Sequence, residues 1–244
     1  MKSSNLLRHI AIATSALLLA ACSTPGTRIG QDNAAAANAR TVKFQQIRNA
    51  TIKVEYAGTT FLVDPMLAKK GAYPGFEGTY NSHLRYPLVE LPLPVSEVMK
   101  ADAIIVTHTH ADHWDDAARQ GLPKNLPIFA QNEEDAESIR KDGFTDVRVL
   151  TEDTVFNGTR LSKTGGQHGD DKVMTEPVGK LLGTGKEDLS RASQAAPKAT
   201  VLGSHMESVN HATQSRKELR DYIAEKGLDP RRVLVPEDGQ AYSF

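Results

Sequence analysis

His108-Thr109-His110-Ala111-Asp112-His113 places three imidazoles and a carboxylate within six residues, directly after the apolar run Ala103-Ile104-Ile105-Val106-Thr107. A β-branched run of that length reads as a buried strand, so the cluster sits where a strand gives way to a loop. Imidazole and carboxylate together suit zinc and similar divalent ions, and the spacing lets one loop face two metal positions. A single histidine is usually a satisfied core or surface residue. Three of them with an aspartate in this pattern read as a metal-binding motif.

The N-terminal part of the chain reads as a targeting segment. Lys2 and Arg8 form a basic region, Ile10 to Ala21 a short apolar one, and Leu19-Ala20-Ala21-Cys22 follows. This is the pattern of a secretory signal, too short to span a membrane comfortably. Its end resembles a bacterial lipobox, which implies lipidation of Cys22 and makes residues 1–22 a lipoprotein signal peptide. Ser23 in the next position implies sorting to the outer membrane, so the expected location is the cell envelope, on the periplasmic face of that membrane. Residues 23–40 are rich in Ala, Asn, Gly and Ser and read as a flexible tether. Cys22 is the only cysteine, which excludes an intrachain disulfide.

Residues 41–244 remain for one domain with a real core. Lys plus Arg is 29 and Asp plus Glu is 30, for a net charge of −1. That balance gives no electrostatic case for a nucleic-acid partner. The expected partners are a small-molecule substrate and, through the lipid, a membrane.

Along this domain, Thr51 to Tyr56 and Thr59 to Val63 flank Gly58 as a hairpin. A long loop rich in Gly, Pro and Tyr runs from Gly71 to Pro94, and loops of that length in compact domains are often functional. Asn132 is an N-cap for a helix with acidic residues in its first turn and Arg140 and Lys141 in its last. Asn157-Gly158 marks a second hairpin, Glu187 to Ala196 a helix, and Ala199 to Gly203 a strand ending before His205. Ser215-Arg216-Lys217-Glu218 is a capping box. Early hairpins and later strand–helix alternation give a mixed α/β class.

The six-residue cluster resembles the HxHxDH signature of the metallo-β-lactamase fold superfamily, with every position filled. Phe61-Leu62-Val63-Asp64-Pro65, Gly165-Gly166-Gln167-His168-Gly169 and Gly203-Ser204-His205 extend the likeness, and look like the ascorbate-6-phosphate lactonase-like branch. The resemblance implies a four-layer αββα sandwich. It also implies a first metal site of His108, His110 and His168 and a second of Asp112, His113 and His205. Asp112 is the candidate catalytic carboxylate. Asp64 reads equally as a plain strand-ending Asp-Pro or as the aspartate that, in this family, supports a ligand histidine from behind. His205 is preferred over its rival His211 because a strand end positions a ligand more rigidly. His83, Tyr73, Tyr80 and Tyr86 either line a pocket or lie exposed in the long loop. Trp114 is expected to pack beneath the metal loop.

The implied activity is hydrolysis of an ester, lactone, amide or phosphodiester by metal-bound hydroxide. One or two divalent ions are expected, zinc first, with manganese and iron as other fits. One departure stands against it. The family's two sites share a bridging aspartate, usually Gly-Asp-Thr or Gly-Asp-Ser at a strand end, and no such segment lies between His168 and His205. Asp170, Asp171 and Asp188 are poor replacements. Gly183-Thr184-Gly185 reads as a junction where a supersecondary unit is missing, so the sandwich is expected to be incomplete near residues 183–186. The alternative expectation is therefore a catalytically degenerate envelope lipoprotein of the same fold.

Overall fold

The computed structural model describes residues 41–163 and 186–244. The signal peptide, the lipobox with Cys22, the tether, His168, Asp170, Asp171 and the junction at 183–185 lie outside them.

The histidine loop 108–113 leaves the middle of a seven-stranded sheet ordered β11-β1-β2-β3-β4-β5-β6. In chain order these strands are β1 (Val42–Arg48), β2 (Thr51–Tyr56), β3 (Thr59–Val63), β4 (Ala103–Val106), β5 (Ile128–Ala130), β6 (Val147–Val149) and β11 (Ala241–Ser243). From β11 to β3 the pairing is antiparallel, and from β3 to β6 it is parallel. The expected first hairpin is β2–β3, turning at Ala57 and Gly58, which both adopt positive φ. β4 is paired on both sides and buried, as its unbroken Ala-Ile-Ile-Val run predicts.

Short helices connect the parallel strands: α1 (Val95–Val98), α2 (Asp116–Gly121) and α3 (Glu133–Lys141). The Asn132 cap sits where the sequence places it, and the structure adds one at Asp115. Asn132 accepts from the backbone N–H of Asp135, and Asp115 caps α2 by accepting from Ala118. Ile104, Val106, Ile128, Ile139 and Trp114 fill the core between the sheet and these helices. Trp114 is fully buried, as expected.

After the hairpin β7 (Val155–Phe156) and β8 (Thr159–Arg160), which turns at Asn157-Gly158, comes a smaller unit. It holds α4 (Lys186–Ala195), β9 (Val201–Leu202), α5 (Arg216–Glu225) and β10 (Val233–Leu234), with β9 and β10 pairing in parallel. The Ser215–Glu218 capping box opens α5 with both reciprocal bonds made. The protein is thus mixed α/β with one large central sheet.

The long loop is pinned to the sheet by Arg48, a fully buried guanidinium. It donates to the carbonyls of Val89, Met66 and Ala68 at 2.9, 2.7 and 2.8 Å. Burial lowers its pKa to about 10, against the opposing pull of Asp115, Asp238 and Glu90, so it stays charged at neutral pH. Within the loop, Tyr73 and Tyr86 exchange backbone hydrogen bonds. Gly75 is required there, because a Cβ would lie 2.4 Å from the Ser82 carbonyl oxygen.

Candidate metal centre

Two neighbouring parallel strands, β3 and β4, end side by side and carry Asp64 and Thr107. The backbone N–H of Thr107 donates to Oδ1 of Asp64 at 2.7 Å, and the Thr107 hydroxyl donates to Oδ2 at 2.7 Å. Asp64 has φ 45°, a left-handed conformation that turns its carboxylate back across the strand ends. Nδ1 of His113 lies 2.8 Å from the same Oδ2. An ionised carboxylate only accepts, so His113 donates through Nδ1–H, and its Nε2 is left to face the opposite side. Asp64 thus follows the end of its strand and also holds the His113 ring from behind. His108 is oriented by the same logic. The single Thr107 hydrogen is committed to Asp64, so that oxygen accepts from Nδ1 of His108, 3.1 Å away.

The loop itself is held from several sides. The N–H groups of His113 and Trp114 both donate to the His110 carbonyl. Asn49 donates to the Asp112 carbonyl at 2.8 Å. The Thr109 hydroxyl donates to the buried Asp135 at 2.6 Å. Asn49, Thr107 and Asp135 are positioning residues that motif spacing does not signal.

His205 follows β9 and reaches the loop from the smaller unit, with its backbone N–H donating to the Asn49 carbonyl at 3.0 Å. Its Nε2 stands 3.2 Å from Oδ2 of Asp112 and 3.0 Å from Nε2 of His113. His113 Nε2 is 3.8 Å from the same Asp112 oxygen. Among the described residues, Asp112, His113 and His205 form a group whose ligand atoms all lie within 4.8 Å of one another. The rival histidine is here too, with Nε2 of His211 at 4.0 Å from Oδ2 of Asp112. His108 and His110 sit alongside, their rings 4.5 Å apart and nearly perpendicular, and the His108 ring lies 3.9 Å from that of His113.

The electrostatics follow from this packing. Burial works against ionisation of Asp112, but the His205 hydrogen bond and the charges of His113, His205 and His211 outweigh it. Its carboxyl is held well below the usual range. Burial likewise opposes the charging of His113, while Asp64 and then Asp112 push its pKa up. A divalent cation fits this donor set. Three imidazole nitrogens converge on one ionised carboxylate oxygen, and at least one has its far nitrogen tied to a carboxylate.

Beside the loop, a cavity of about 340 Å³ is lined by Tyr73, Phe76, Tyr86, Ala111 and Arg119, among others. Tyr86 stacks on Phe76 at 4.6 Å, and the Phe76 and His211 rings meet edge-to-face at 4.8 Å. Of the long-loop residues singled out by sequence, Tyr73 and Tyr86 line this cavity, while Tyr80 and His83 are exposed.

No protein-family model matches the chain. A curated relative does: the UPF0173 protein YddR of Bacillus subtilis (strain 168) is 39% identical over 251 residues, covering 82% of this chain and 98% of the relative. The chain belongs to the UPF0173 family. Two solved structures are similar to this UPF0173 protein. The isothiocyanate hydrolase from Delia radicum gut bacteria is 36% identical with a TM-score of 0.77, covering 83% of this chain and 99% of that one. A possible metal-dependent hydrolase from Veillonella parvula DSM 2008 is 35% identical with a TM-score of 0.78, over the same shares. Its structural neighbours are thus metal-dependent hydrolases.

Proposed function

We propose that this protein is a metal-dependent hydrolase of small electrophilic molecules. The observation that carries the reading is the convergence of His113, His205 and His211 Nε2 atoms on one oxygen of Asp112. A bound divalent ion supplies an acidified water at neutral pH and a Lewis acid for the departing atom. Asp112, His113 and His205 would hold one such ion, and His108 and His110 would contribute to another. Asp64 and Thr107 fix the ring orientations before substrate arrives, so no reorganisation is needed during reaction. The cavity beside Ala111 receives the substrate's apolar part and keeps bulk water off that side.

The similarity to an isothiocyanate hydrolase makes the isothiocyanate group the first substrate class to test. Water adds to its central carbon and the carbon–nitrogen bond breaks, giving an amine and carbonyl sulfide. The ester and lactone readings require the same addition of water to an electrophilic carbon, there an sp² carbonyl in place of the sp carbon of the isothiocyanate. Purified protein supplied with zinc, manganese or iron should release amine from benzyl isothiocyanate or cleave a simple aryl ester. Absence of turnover with every metal on both substrates defeats the reading.

A second reading is favoured by one observation. The alignment with YddR extends over 251 residues while taking in 82% of a 244-residue chain, so the relative carries residues without a counterpart here. This supports an internal deletion, and with it loss of the bridging aspartate and of part of the four-layer αββα sandwich. On this reading the chain is a degenerate envelope lipoprotein that binds one ion weakly. Metal stoichiometry separates the two, since two tightly bound equivalents exclude degeneracy. The lipid anchor at Cys22, on the periplasmic face of the outer membrane, belongs to both readings and rests on Leu19-Ala20-Ala21-Cys22. Labelled fatty acid should enter the parent chain and not Cys22→Ala.

A further inference from the structure

The sequence treats His205 and His211 as rivals, yet the fold brings both to Asp112. Six residues of chain would ordinarily carry them apart. Here the backbone doubles back, with φ 65° at His205 and 58° at Glu207. Left-handed conformations in non-glycine residues are disfavoured and persist only where the surroundings enforce them. The surroundings do so here. Glu207 is clasped by Arg216, whose backbone N–H and guanidinium donate to its carboxylate at 2.9 and 2.7 Å. The Ser208 carbonyl accepts from the backbone N–H of Leu88 at 2.7 Å. Val209 is fully buried against Met66 and Tyr86. Asn210 is buried as well, accepting from the Phe76 N–H at 3.0 Å and donating to Thr79 and Tyr80. The segment is strained at one end and anchored along its length, and its effect is to aim a second imidazole at the Asp112 carboxylate.

We propose that His211 is a fourth protein ligand at the second metal position, completing an Asp112, His113, His205, His211 set in place of the bridging aspartate that the sequence lacks. This rests on the metal-dependent reading above. Zinc–nitrogen bonds of about 2.0–2.1 Å set tetrahedral donors roughly 3.4 Å apart. The three nitrogens stand 3.2, 3.8 and 4.0 Å from the shared oxygen. His211 lies outside the group of mutual 4.8 Å contacts, so on this assignment its ring, packed edge-to-face with Phe76, would close inward to join the other three donors. The assignment gives the second position four ligands without a bridge, and so lets it hold an ion independently of the first.

The test uses the full chain, stripped of metal, with Co²⁺ and Zn²⁺ as the only probes. His211→Gln keeps the size of the side chain against Phe76 and removes the imidazole, and His211→Ala removes both. Each should lose more than about 100-fold in affinity at one position, beyond the 10–100-fold of a residue that only supports a ligand. The visible Co²⁺ spectrum should change with it, and added imidazole should restore the spectrum in His211→Ala. Affinity within a few-fold of the parent and an unaltered spectrum overturn the assignment while leaving the hydrolase reading intact. A parent chain that binds neither ion overturns both. If the variants fail to fold, zinc X-ray absorption in a His110→Ala background, where the first position has lost a donor, decides it. Three imidazoles per zinc are expected, and two refute the proposal.

Discussion

The Oδ2 atom of Asp64 accepts from Nδ1 of His113 at 2.8 Å and from the Thr107 hydroxyl at 2.7 Å. One carboxylate at the end of one strand thus fixes the tautomer of His113 and the start of the loop that carries it. Asp64→Asn puts an amide where only an acceptor serves. If its Nδ2–H₂ faces His113, the ring must flip tautomer and present a protonated Nε2 to the metal. Metal affinity at the second position should fall about 10–100-fold, read by competition with a chromophoric chelator. Parental affinity would show that Asp64 merely ends a strand.

Metal removal should destabilise the protein, because the donors come from both the large sheet and the smaller unit. At a free metal concentration 100 times the dissociation constant the linkage is about 2.7 kcal/mol. For a domain of this size that corresponds to roughly 5–10 °C in Tm. A chelator titration followed by thermal unfolding checks it, and an unchanged midpoint counts against a site that joins the two parts.

Gly75→Ala should perturb the cavity without touching a ligand. The new Cβ would lie 2.4 and 2.5 Å from the carbonyl oxygens of Ser82 and Leu84, both backbone atoms that cannot swing aside. The expected cost is about 1–3 kcal/mol in urea unfolding, with a rise in KM for whichever substrate is turned over. Metal content should be unchanged.

Arg48→Met should be among the more damaging single changes outside the site. It strips donors from the Val89, Met66 and Ala68 carbonyls, two of whose bonds are buried. Unsatisfied buried acceptors cost about 1–3 kcal/mol each, so a loss of about 3 kcal/mol or more is expected. Lysine should not rescue it, because one ammonium cannot reproduce the planar fork. A urea midpoint close to the parent's for either variant would overturn this.

Much of this architecture is legible in the sequence for local reasons. The buried strand before the cluster, the Asn132 cap, the Asn157-Gly158 turn and the Ser215–Glu218 box are each decided within a few residues, and each forms as read. β1 escapes because its apolar alternation is broken. A bulge between Gln46 and Arg48 shifts the register, so polar Gln46 and Arg48 are buried beside Ile47. β11 is a three-residue Ala-Tyr-Ser strand with no pattern of its own, formed because β1 offers it an edge. In the site, the motif residues announce themselves by type and spacing. The choice between His205 and His211 does not, because it turns on two positive-φ residues and an ion pair to Arg216 nine residues beyond Glu207. Such long-range restraint has no local signature.

The pairing of β11 with β1 also bears on how the protein is made. Ribosomes deliver the N-terminal end first, so β1 emerges long before the strand that flanks it, and before the segment bearing His205 and His211. Until the segment bearing β11 has emerged, that edge of β1 is bare. A chain still lacking residues 205–211 therefore carries the histidine loop without the two side chains that meet Asp112 from the smaller unit.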